Sequence, residues 1–279
     1  MNEINSRIAR AAEARFGKAL TPPADTAGLE CLVRMLEHRS HRRYSSRAVT
    51  DELLQLLFAC AMSAPSKSDL QQGDIVHVRD AGLRAQMAAL VSDNPWVATA
   101  PVFLVFCGNN RRTRQVGDWR GKPFANDHLD AFMNAAVDAG IVLMNFITAA
   151  EAAGLGCCPI SSVRNHSQAV SDLLGLPDWV FPLAGLCVGY PENSGVITPR
   201  LPLEVTVHTD RFSEKDIAAN VDGYDRRRAE LQPYKKQRGV KRFGEAPFYG
   251  WSEDKARQYA EPQRMDFGAF IRRKQFKLD

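Results

Sequence analysis

Three stretches decide the fold class: PVFLVFC at 101–107, HLDAFMNAAVDAGIVLMNFITAAEAA at 128–153 and LGCCPI at 155–160. The first is a continuous apolar run bounded by Pro and Gly, the pattern of a strand covered on both faces. The second is rich in Ala, Met and Leu. Its apolar residues lie on nearly all sides, which predicts a long, central, buried helix stopping at Gly154. The third predicts a strand that opens into small polar residues. PLAGLCVGY (182–190) predicts another. The longest helix stands outside any simple βαβ rhythm, so the pattern favours α+β over a doubly wound sheet. No GxGxxG follows a strand, and GLG at 154–156 is too short to count as a dinucleotide fingerprint.

Working outward, residues 29–38 set Leu29, Leu32, Val33 and Leu36 at helical spacing. Thr50 or Asp51 caps a second helix with Leu53, Leu54, Leu57 and Ala61 on one face. APSKSDLQQGD (64–74) is a loop by composition. IVHV (75–78) reads as a short strand, 81–91 as a helix and about 166–174 as another. Residues 108–126 are polar, with Gly, Pro and four arginines, and read as a loop or lid. Residues 1–28 begin helix-like and break at Pro22-Pro23, as a peripheral arm. From 191 the chain is Pro-rich and irregular, and 209–279 reads as an extension with short helices.

At 279 residues, 45% hydrophobic and 24% charged, the chain can bury an ordinary core without staples. That composition excludes collagen-like, low-complexity and wholly disordered classes. The net charge of +4 is too mild for a dedicated nucleic-acid binder. It is also uneven: residues 211–279 hold 17 basic and 11 acidic side chains, against 19 and 21 before them. This basic tail is either a solvated surface or a patch that meets phosphates. Its run RRRAELQPYKKQRGVKR (226–242) leaves a non-enzymatic anion or nucleic-acid binder as a remote alternative, disfavoured by interspersed acids and few aromatics. The six cysteines lie mostly in apolar runs, with no CxxC, and read as buried reduced thiols in a cytoplasmic protein. The charged N-terminus does not read as a signal peptide, and no uninterrupted apolar run of membrane length occurs. No membrane or metal is expected.

Four segments can carry chemistry. His38-Arg39-Ser40-His41-Arg42-Arg43 places guanidiniums, imidazoles and a hydroxyl after a helix end, either as a phosphate clamp or as a solvated basic helix end. Pro65-Ser66-Lys67-Ser68-Asp69-Leu70-Gln71-Gln72 offers hydroxyls and backbone N–H groups to a planar heterocycle, or is simply a turn. Gly156-Cys157-Cys158-Pro159-Ile160-Ser161-Ser162 lets the backbone approach a ligand closely, or is a plain strand-to-helix turn. Pro199-Arg200-Leu201-Pro202 presents one rigid arginine, or an irregular surface turn.

In this order the segments resemble the FMN-dependent nitroreductase family. The resemblance rests on HRSHRRY, APSKSDLQ, GLGCCPISSVRN, LCVGYP and TPRLPLEVTVH, and it spans about residues 29–208. The RLP ending and long extension look most like its NADPH-preferring, oxygen-insensitive group. The resemblance implies a three-layer α+β fold, a central mixed or antiparallel sheet flanked by helices, with the long helix at a homodimer interface. It divides the chain into an arm (1–28), an FMN-binding core (29–208) and a basic extension (209–279). It implies that His38, Arg39, Ser40 and Arg200 hold the FMN phosphate, with Arg42 towards the ribityl chain and pyrimidine edge. The loop with Pro65, Ser66, Lys67, Asp69 and Gln71 reaches the flavin from the partner subunit. Cys158, Pro159, Ile160, Ser161 and Ser162 line the ring near N5. Lys67, Asp69, the Ser161-Ser162 pair and Thr198 depart from the common pattern.

The implied activity is ping-pong reduction of nitroaromatics, quinones or related electrophiles. Hydride passes from NADPH or NADH through flavin N5 to a small aromatic or electrophilic acceptor. Flavin reduction, flavin cleavage and reductive dehalogenation are the alternatives on the same cofactor. Arg42 or Lys67 would put positive charge beside the pyrimidine edge. One arginine of Arg111, Arg112, Arg114 and Arg120, or one in the tail, would take the NADPH 2′-phosphate. No side-chain nucleophile or base is required, so His166 and His208 are read as surface or capping groups.

Overall fold

The structure, a computed structural model, describes residues 3–279. The chain runs through α1 (Glu3–Phe16), α2 (Leu29–Leu36), α3 (Asp51–Met62), β1 (Gly73–His77), α4 (Ala81–Leu90), α5 (Trp96–Thr99), β2 (Val102–Asn109), α6 (Arg111–Trp119) and α7 (Leu129–Ala152). It continues with β3 (Gly156–Ile160), α8 (Ser167–Leu173), β4 (Val180–Gly189), α9 (Leu203–Thr206), α10 (Ile217–Leu231), α11 (Val240–Phe243), α12 (Trp251–Tyr259) and α13 (Phe267–Arg273). Thr50 caps α3, accepting from the Leu53 N–H at 3.3 Å. The four strands form one antiparallel sheet in the order β1-β2-β4-β3.

β2 is buried at every position because both of its faces are apolar. Leu104 and Phe106 face Leu54, Leu57, Phe146 and Leu186. Phe103, Val105 and Cys107 face Met87, Val97, Ile160 and Cys187. The side-chain period of two therefore leaves no polar positions in the run. α7 covers the first face, and its Phe146 ring meets Phe106 edge-on at 5.9 Å between centroids. α7 is long and apolar enough, by length and composition, to cross a membrane. It is instead a core helix that buries Ala135, Ala139, Val142, Phe146 and Ala150 and carries Asp138 inward. The expectation of all-round burial is corrected. Leu129, Met133, Val137 and Met144 are about half exposed.

The chain divides into two units. One comprises Ser40–Gly195 and Arg264–Asp279 and contains the sheet. The returning C-terminal segment joins its core through Phe270, Ile271 and Phe276, beside Phe181 and Ala135. There the buried Lys274 ammonium donates to the Ser171 hydroxyl and the Leu176 carbonyl. The other unit comprises the chain up to Arg39 and Val196–Gln263, built on α1 against α2 and α10 against α12. In it the buried Asp225 carboxylate accepts from the Ser252 N–H and hydroxyl at the start of α12. A Cβ on Gly250 would lie 2.5 Å from that carboxylate, so only glycine fits.

Three further expectations are corrected. Residues 108–126 are not a plain loop, since 111–119 form α6. This helix is held from outside: the Arg114 guanidinium stacks on Phe124 and Trp179 and pairs with Asp127 at 2.5 Å. The arm breaks earlier than Pro22-Pro23, at Gly17, whose φ of +77° ends α1. The thiols are also not uniformly buried, because Cys31 is exposed and Cys60 half-buried.

Candidate functional site

The basic stretch 38–43 is placed by backbone pairing. Ser40 bridges Cys157 in parallel, and the His41 N–H donates to the Cys157 carbonyl at 2.9 Å. Gly156 makes this approach possible, because a Cβ there would lie 2.7 Å from the His41 ring. The Tyr44 hydroxyl donates to the His41 carbonyl at 2.5 Å and sits 3.2 Å from that of Cys187. Burial pushes the Tyr44 phenol and the Cys157 and Cys187 thiols well up. The Arg42 guanidinium lies 5.2 Å from the Trp96 ring centroid and beside Cys158. Burial raises the Cys158 thiol, and the positive charge of Arg42 opposes that rise. Ser40, Arg42 and Cys158 thus meet at β3.

Beyond β3 the turn is clamped by long-range donors. Asn94 donates to the Ser162 hydroxyl at 2.7 Å. Arg264, with φ of +55°, donates to the Ser161 hydroxyl at 3.0 Å and to Asn165 at 2.8 Å. Pro159 and Ser161 are exposed, whereas the Cys158 and Ile160 side chains point into the core. Those two positions can therefore offer a ligand only backbone groups. Arg264 escaped the sequence reading because its partners lie 99 and 103 residues away.

The 65–72 loop is organised by a group that the sequence reading also missed. The Asp138 carboxylate, 1% exposed, accepts from the Ser66 hydroxyl at 2.7 Å and from the Lys67 and Gln72 N–H groups at 3.1 Å. The Ser66 oxygen in turn accepts from the Gln71 N–H. Three charge-assisted bonds compensate a buried carboxylate. Ser68, Asp69 and Gln71 all have positive φ, so the loop holds a backbone that side-chain-bearing residues seldom adopt. Its signal was available: one Asp in the apolar run AAVDAGIV must find donors. Pro65, Ser66 and Gln71 line a cavity of about 220 Å³ with Gln72, Asp74, Arg112 and Asp138. Lys67, Asp69 and residues 158–162 do not line it.

In the other unit, Arg15 ties two distant segments together. Its guanidinium, 5% exposed, donates to the carbonyls of Leu36 (2.9 Å), His38 (2.6 Å) and Thr198 (3.0 Å). Its own carbonyl accepts from the Arg200 N–H at 2.7 Å. The backbones bearing His38-Arg39 and Arg200 therefore converge on one residue of α1. Arg39 has no hydrogen-bond or ion-pair partner among the described residues. Arg200 reaches only the Thr198 and Pro199 carbonyls, at 3.4 and 3.3 Å. By contrast, Arg112 and Arg114 are committed to Asp74 and Asp127.

Residues 35–190 match the model of the nitroreductase family, and 198–279 match that of the nitroreductase family C-terminal domain. The chain is 32% identical over 253 residues to an FMN reductase [NAD(P)H] of Bacillus subtilis, covering 90% of this chain and 99% of that one. It is 36% identical over 180 residues to an oxygen-insensitive NADPH nitroreductase of Salmonella typhimurium, covering 64% and 73%. The solved structure of NfrA2 from B. megaterium is similar, with a TM-score of 0.81, 31% identity and coverage of 90% and 99%.

Proposed function

The chain belongs to the nitroreductase family, and from that premise we propose that it reduces small electron-poor aromatics by two-electron transfer. It is an enzyme, an FMN-dependent NAD(P)H oxidoreductase. When bound, FMN would supply two-electron hydride chemistry between the reduced nicotinamide and the acceptor. The chain's own residues bind, orient and polarise.

We assign the FMN phosphate to His38, Arg39, Ser40 and Arg200. The observation that carries this reading is a pair of guanidiniums, Arg39 and Arg200, without carboxylate partners among the described residues, on two segments that Arg15 ties. Guanidiniums free of carboxylates suit a dianionic phosphate, which accepts their forked donors. Arg42, stacked on Trp96, is assigned to the ribityl and pyrimidine side. The exposed Pro159 and Ser161, with Ser162 and the backbone of Cys158 and Ile160, are assigned to the ring edge. The Asp138-organised loop with Pro65, Ser66, Lys67, Asp69 and Gln71 is assigned to the flavin of a second subunit. In support, residues 158–162 are absent from the cavity this loop lines, and α7 carries a half-exposed apolar stripe suited to a homodimer contact.

The test is the visible spectrum of the purified protein, followed by anaerobic titration with NADPH and NADH. Flavin bands that bleach on titration, and recover on adding nitrofurazone or a quinone, are expected. Arg39→Gln with Arg200→Gln should abolish flavin retention. A double variant that keeps its FMN overturns the phosphate assignment. Flavin reductase activity is the second reading, favoured by the B. subtilis relative's name and near-complete coverage. Steady-state release of free reduced flavin under anaerobic conditions distinguishes it.

A further inference from the structure

The unit that holds α1, α10 and α12 carries an open cavity of about 670 Å³. This lies within the range of small-molecule sites. Its body is aromatic, formed by Phe16, Tyr224, Tyr234 and Trp251. Tyr224 is 4% exposed, meets Trp251 edge-on at 5.5 Å and donates its hydroxyl to the Pro199 carbonyl. Tyr224 is therefore held in place, with Trp251 packed against it. The charged lining is Arg200, Arg228 and Lys255, with no Asp or Glu among the lining residues.

The three cations are not equivalent. Lys255 is already offset by Asp254 at 2.7 Å and bonded to Gln258. Arg200 is shared with the phosphate assignment above. Arg228 has no carboxylate partner among the described residues. Its Nη1 donates to Gln232 at 3.0 Å, its guanidinium stacks 4.9 Å from the Tyr234 centroid, and its buried Nε has no hydrogen-bond acceptor. A buried donor without an acceptor, on a charged group, is uncommon in a finished structure. It marks a place where an acceptor from outside the chain belongs.

We propose that this cavity is a binding site for a planar aromatic monoanion, a carboxylate or sulfonate, which stacks on Tyr234 and accepts from Arg228. The aromatic walls ask for a flat apolar body. One uncompensated cation beyond the phosphate assignment asks for one negative charge. The proposal rests on the flavin reading only in that Arg200 is taken up by the phosphate; Arg228, Tyr234 and Trp251 have no part in that reading.

The test is calorimetric titration of the FMN-loaded protein with 2-naphthoate and with its neutral isostere 2-naphthamide. One naphthoate per chain is expected to bind at least about tenfold more tightly than the amide, the scale of a charge-assisted hydrogen bond. Flavin absorbance should stay unchanged while tryptophan fluorescence shifts. Arg228→Gln should erase the preference for the anion and leave the amide's affinity within twofold. Tyr234→Leu should weaken both probes, and it reads the same site should the arginine variant fail to fold. Equal affinity for the two probes, no naphthoate binding at millimolar concentration, or an Arg228→Gln protein indistinguishable from wild type overturns the proposal. So does displacement of flavin by naphthoate, which would put the probe in the flavin's own site.

Discussion

Asp138 shows how one buried charge can organise a loop 70 residues away in sequence. Its carboxylate leaves water only because the Ser66 hydroxyl and two loop N–H groups replace the lost hydration. Replacing it with Asn keeps the shape but turns one acceptor oxygen into a donor that faces other donors. Asp138→Asn is therefore expected to cost about 1–3 kcal/mol and to lower flavin content, because positive φ at Ser68, Asp69 and Gln71 loses its support. Thermal melts of the apoprotein and the flavin-to-protein absorbance ratio measure the two effects separately. Normal stability and full flavin content would contradict this account of the loop. At this scale the sequence was legible in patches. The basic stretch, the loop and the small-residue turn stand out as composition. Arg15 and Arg264 do not, because what they do depends on partners 21 to 183 residues distant, and Asp138 shows only as a lone acid in an apolar run.

Among elements, β2 and α7 were readable because burial on both sides removes polar positions and leaves long apolar runs. α6 was not, since RRTRQVGDW has a Gly and β-branched residues, and Arg114 holds it by tertiary contacts. Phe146 sits where α7 meets the sheet, packed on Phe58 and Phe106. Phe146→Ala should destabilise the protein by about 3–5 kcal/mol, through lost transfer energy plus a cavity that rigid strands cannot close. Urea unfolding checks this, and a loss below about 1 kcal/mol would place the core elsewhere. The outer side of α7 behaves differently. Met133 is 56% exposed on its apolar stripe. Met133→Glu should leave the folded subunit intact and, under the homodimer proposal, shift it to monomer by light scattering. An unchanged oligomer with Glu at that position would take this stripe out of any interface.

For the whole molecule, acid and alkali act on different buried groups. Burial holds the His77 imidazole below its ordinary value, and Arg79 pushes the same way. The Arg114 hydrogen bond holds the Asp127 carboxyl below its own, helped by Lys277 against the cost of burial. A depressed folded value means that the unfolded chain binds more protons as pH falls. The His77 contribution is thus complete above about 6.5 and is lost as pH drops through the folded value. The Asp127 contribution follows the same sign below about 4. On the alkaline side, burial raises the Cys107 thiol to about 12 and drives the Cys157, Cys158, Cys187 and Tyr44 groups upward. Raised values give stability that is complete below the ordinary thiol range and is lost as pH rises, because the unfolded chain ionises first. Lys274, lowered by burial, opposes this as a single group. The melting temperature should therefore be flat between about pH 6.5 and 8.5 and fall on both sides. His77→Gln should flatten the limb between about pH 5 and 6.5 and leave the alkaline limb untouched. A melting temperature that keeps rising from pH 8.5 to 10 would show that buried thiols and phenol do not govern the alkaline limb. An acid limb unchanged by His77→Gln would assign that limb to the carboxylates alone.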